Sequence, residues 1–70
     1  MDEDTLELIQ ALCTRAGMIM EDASAEAMAT ASDDAGTVGK KLTRLAEAAH
    51  AIGTIIAAAH ALHQLDRNVP

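Results

Sequence analysis

The sequence predicts an all-α fold, an antiparallel two-helix hairpin that dimerises into a four-helix bundle. Three observations carry that prediction. An almost unbroken helical pattern of apolar residues runs from Leu42 to Leu65, and a second amphipathic stretch precedes it. Between them Ser32-Asp33-Asp34-Ala35-Gly36-Thr37 gathers the residue types that make turns. The chain of 70 residues is then a single domain. Helix 1 covers about 5–31, a turn about 32–37, helix 2 about 38–65 and a tail 66–70.

Helix 1 is introduced by Asp4 and Glu7, a D-x-x-E pattern suited to capping, with its acidic groups near the positive end of the helix dipole. Its expected core face holds Ile9, Leu12, Ala16, Ile19, Ala23 and Ala27, with Cys13 and Met20 on one flank. Glu7, Thr14, Arg15, Glu21 and Asp22 occupy the opposite side, where Met18 also falls. Ser24 offers a point where a new short helix could start. Because no Gly or Pro interrupts the stretch, one continuous helix is expected.

Helix 2 is capped by Asp33 or Asp34, or later by Thr37. On a 3.6-residue wheel Leu45, Ile52, Ile56, Ala59 and His63 share one face, with Leu42 and Ala49 beside them. Ala48, Ile55 and Leu62 widen it on the other flank. A stripe that wide touches two neighbours, which places helix 2 at the centre of a bundle. The expected core and dimer interface is therefore Ile9, Leu12, Ala16, Ile19, Leu45, Ala49, Ile52, Ile55, Ile56, Ala59 and Leu62. With the turn centred near residue 35, Gly17 and Gly53 stand at one level, and close packing of the backbones there is one expectation.

Composition explains why a second copy is expected. Sixteen residues are alanine and none is Phe, Tyr or Trp, so the chain lacks the side chains that bury most area. Small domains with thin cores need a staple, and a single cysteine cannot form an internal disulfide. Oligomerisation is the staple left, as a homodimer or through a helical protein partner.

Charge and motifs exclude several classes of function. A net charge of -6 opposes direct binding of nucleic acid, and Lys40, Lys41 and Arg44 are the nearest thing to a basic cluster. The acidic N-terminus lacks the basic region of a signal peptide. The most apolar run, AIGTIIAAAHAL, falls short of the ~20 residues that cross a bilayer. A cytoplasmic protein without membrane contact is expected. No nucleophile elbow or C-x-x-C occurs, and Gly36-Thr-Val-Gly39-Lys40 lacks the spacing of a phosphate loop. No catalytic residue and no cofactor is expected.

The alternative function is metal binding. Glu47-Ala-Ala-His50 is an E-x-x-H motif of the kind that carboxylate-bridged bundles use, since i, i+3 ligands share a helix face. Both residues nevertheless sit nearly opposite Leu45 and Ile52, on the polar side. His60 and His63 repeat the spacing near the end of the apolar stripe, where imidazoles from two hairpins could meet. Cys13, with no cationic partner in view, is expected to be a small core residue. The inferred architecture resembles small hairpin dimers that close into four-helix bundles, such as ROP, a likeness of fold that fixes no function.

Overall fold

The computed structural model describes residues 2–67 and consists of two antiparallel helices joined by a tight turn. Helix α1 spans Glu3–Ala29, a single 3₁₀ turn follows over Thr30–Ser32, and α2 spans Ala35–Arg67. The hairpin is a rod of 56 × 14 × 12 Å with a radius of gyration of 16.2 Å. A compact chain of this length would have a radius of ~11 Å.

Helix α1 begins two residues before the position that Asp4 suggests. Asp2 takes the extended conformation of an N-cap, although its side chain makes no capping bond to the backbone; the Thr5 hydroxyl donates to its carboxylate at 3.4 Å. Glu3 and Asp4 then lie in the first turn, where carboxylates interact favourably with the dipole. The helix continues through Ser24 without a break. At its end the Thr30 hydroxyl donates to the Ala27 carbonyl at 2.7 Å, and the Asp33 amide donates to the Thr30 carbonyl at 3.1 Å. These bonds occupy carbonyls that a helix end leaves open.

Of the three possible caps for α2, Asp34 is the one used. Its Oδ1 accepts the Thr37 backbone N–H at 2.8 Å, and its carbonyl accepts that of Val38 at 3.0 Å. This starts α2 at Ala35, three residues earlier than the sequence suggested, and Gly36, Thr37 and Gly39 are all helical. At the other end Asp66 and Arg67 belong to α2 rather than to a tail. Asn68, Val69 and Pro70, the rest of the expected tail, lie outside the described residues.

The helices meet along a seam with a 3.5-residue period. In α1 it runs Thr5, Ile9, Leu12, Ala16, Ile19, Ala23, Glu26 and Thr30, alternating steps of four and three. In α2 the same alternation gives Val38, Lys41, Leu45, Ala48, Ile52, Ile55, Ala59, Leu62 and Asp66. All of these are at least partly buried. Only Ala16 and Ala59, at 1% and 6% exposure, are fully buried among the described residues. Two helices cover only one side of each other, so the large seam residues stay half-buried. The fold holds a ridge of contact and no enclosed core.

Candidate assembly face

Pairing along the seam uses only part of the apolar stripe on α2. Leu45, Ile52, Ile55, Ala59 and Leu62 turn toward α1, as Ile9, Leu12, Ala16 and Ile19 turn toward α2. Ala49 and Ile56 lie one residue beyond seam positions and are exposed, Ile56 at 41%. Leu42 stands in the same row at 58%. The expected core of one hairpin is thus divided between a closed seam and an open row.

A matching row flanks the seam on α1. Leu6, Cys13, Met20 and Ala27 each follow a seam residue and are exposed. Cys13 is therefore a surface residue and not the core residue expected, because the seam passes through Leu12. Ala27, expected on the core face, is exposed for the same reason, with the seam residue at Glu26.

Antiparallel geometry puts these two rows on one side of the rod. Side chains advance counter-clockwise along a right-handed helix that points at the viewer and clockwise along one that points away. The flank just after the seam therefore faces the same way in both helices. The next row outward turns to that side too: Gln10, Gly17 and Ser24 in α1, and Gly39, Ala46, Gly53 and His60 in α2.

The resulting face carries no charge over nearly the whole rod. From Leu6 to Ala27 and from Gly39 to His63, neither row contains Asp, Glu, Lys or Arg. Arg15, Asp22, Arg44 and Glu47 lie on the opposite side, and Glu7 and Glu21 lie on the outer edge. Leu8, Met18 and Leu65 are also exposed, but they are scattered among those charges. Single exposed apolar residues are ordinary, whereas a continuous apolar face is informative.

Ion pairs account for two of the three basic residues near the turn. Lys41 Nζ lies 2.5 Å from Asp33 Oδ2, and Arg44 lies 2.8 Å from Glu26 Oε1, linking α2 to the turn and to α1. At the far end the Asp2 amide donates to Asp66 Oδ1 at 3.4 Å. These contacts fix the level at which the helices oppose each other. Neither Glu26 nor Lys41 is an apolar seam residue, and the sequence reading missed both.

The candidate metal ligands do not converge. Glu47 and His50 are exposed on the outer side of α2, and His60 is exposed with its Nε2 accepting from the Gln64 amide at 3.1 Å. His63 is half-buried in the open row. Among the described residues no three His, Cys, Asp or Glu side chains are grouped to hold a metal ion, and no pocket is formed. Gly17 and Gly53 do not bring the backbones together: a Cβ at either would meet nothing within 4 Å. Both belong to the open face, away from the seam.

Comparison with family models, curated proteins and solved structures finds no match. By length and composition alone α2 could cross a membrane. Beyond the segment read from the sequence, which ends at Leu62, Leu45, Ala46, Ala48 and Ala49 precede it with a single charge at Glu47 and Leu65 follows it, so the stretch that passes is longer than that segment. Core helices of soluble proteins pass the same test.

Proposed function

We propose that this chain is a non-catalytic assembly protein of the cytoplasm, whose hairpins self-associate through the apolar faces of their two helices into a four-helix bundle. The observation that carries the reading is surface area. The hairpin exposes 5155 Å². A compact protein of 7.3 kDa exposes about 4,200 Å² by area scaling. The excess, about 1,000 Å², resembles the ~800 Å² that each partner contributes to a stable interface.

Pairing supplies what the composition withholds. Alanine-rich helices without aromatics bury little against one neighbour, and a second hairpin gives α2 two neighbours. The broad stripe from Leu42 to Leu65 is then covered on both flanks. Light scattering on the eluting protein tests this. A mass of two chains at micromolar concentration supports the reading, and a mass of one chain throughout opposes it. Metal analysis after dialysis addresses the alternative: a stoichiometric transition metal would favour a bundle using Glu47 and His50, or His60 and His63.

A further inference from the structure

We infer that the second copy seats on one particular side of the rod, the uncharged face, with Gly17 and Gly53 at the centre of contact. This rests on the self-association reading and adds to it which surface is buried. The rod has two broad sides flanking the seam. The side opposite the uncharged face bears Arg15, Asp22 and Glu47, which no ion pair holds among the described residues, and Arg44, already held by Glu26; an interface there would have to desolvate all four, and a buried charge without a close partner is strongly unfavourable. The other side presents Leu6, Met20, Leu42 and Ile56 with no charge among them. A partner rich in charge would find nothing to pair with there; an identical uncharged face is the complement on hand. A stable contact removes ~800 Å² per copy from water, and the hairpin exposes that much beyond what a compact chain of its mass would.

The glycines fit the same arrangement. Inside the hairpin Gly17 and Gly53 have no steric role, since each has open space where a Cβ would stand. Each weakens its helix relative to alanine. They lie at one level, near the middle of both helices and on the uncharged face. A two-fold axis in the plane of contact, crossing the rod at its middle or running along it, brings the glycine level of one copy against that of the other. Small residues there let the helices approach closely, and flanking Met20 and Ile56 then pack against the partner copy.

Cys13 reports on this face directly. It is the sole thiol, it is exposed in the single hairpin, and it stands between Leu6 and Met20 in the open row. Its rate of alkylation by a bulky uncharged maleimide should follow the free-monomer fraction, falling as total protein rises through the dissociation constant measured by light scattering. A matched pair of variants adds a second readout. Ala46→Glu puts a charge on the proposed face and should weaken the dimer at least about a hundredfold. Ala61→Glu puts the same charge on the opposite side and should leave the dimer intact; both positions are exposed in the hairpin. A dimer whose Cys13 reacts equally fast at all concentrations, or that tolerates Ala46→Glu, would overturn the choice of face and leave self-association standing. Protein that is monomeric throughout would overturn both. Monomeric hairpin that co-floats with neutral phosphatidylcholine vesicles would do the same, with a bilayer as the occupant.

Discussion

Glu26 of α1 and Arg44 of α2 stand 2.8 Å apart, joining the helices near the turn where the seam is least apolar. Glu26 occupies a seam position, so its carboxylate is partly covered, at 28% exposure, while Arg44 reaches over it from the charged side at 63%. With the Asp2–Asp66 contact at the opposite end, the pair sets which levels of the two helices face each other. Register in turn decides that Leu6, Cys13 and Met20 lie beside His63, Ile56 and Ala49. The open face is a consequence of that alignment.

The ion pair contributes little energy. Arg44 is mostly exposed, so Arg44→Ala should cost less than about 1 kcal/mol, and the cost should shrink in high salt. Glu26→Leu should raise the melting temperature, because it extends the apolar seam opposite the Leu45 end of α2. Thermal unfolding at low and high ionic strength reads both effects.

Asp34 holds the start of α2. The backbone hydrogen bond from Thr37 keeps its carboxyl below the ordinary carboxylate range, aided by the Thr37 hydroxyl and the Gly36 amide. A depressed folded pKa means that the unfolded chain takes up the proton more readily. The resulting stability is present above the ordinary aspartate pKa and is lost as pH falls through the lower folded value. Asp34→Ala should lower the melting temperature at neutral pH, with a smaller difference from the parent in acid. Melting curves of both proteins across that acidic range check the sign.

Ile52 and Ile56 separate the seam from the open face. Ile52→Asp buries an unpaired charge between α1 and α2 and should abolish both helical signal and assembly at any concentration. Ile56→Asp should abolish assembly while leaving the helicity of dilute protein close to that of the parent at equal dilution. Circular dichroism and light scattering on both variants make the comparison.

Gly39 offers a stabilising change. It lies within α2 at a negative φ, and a Cβ there would meet nothing within 4 Å. Gly39→Ala should stabilise the helical hairpin by about 0.8–1 kcal/mol. The shift in denaturant midpoint gives the value.

The residues show why the hairpin was legible in the sequence and its faces were not. Two apolar periodicities separated by Ser32–Thr37 define two helices, and no other element competes for the chain. The wheel centred the α2 face on Leu45, Ile52 and Ile56, whereas pairing with a 3.5-residue period selects Ala48, Ile55 and Leu62 and leaves Leu42, Ala49 and Ile56 outside. A 3.6-residue wheel drifts by roughly 20° per heptad, and a stripe wider than one neighbour can cover hides that drift. Alanine adds to the ambiguity, since Ala46, Ala48 and Ala49 look alike in hydropathy and differ only in direction. Seam positions held by Glu26 and Lys41 carry no apolar signal at all. The charge-free face was readable only after the antiparallel pairing showed which flanks of the two helices coincide.

The hairpin should be stable only when its open face is covered. Circular dichroism of one sample, diluted through the concentration at which light scattering shows the mass change, tests it most directly. Helicity and mass should fall together as two chains become one. A chain that is dimeric when concentrated but equally helical and equally heat-stable as a dilute monomer would contradict it.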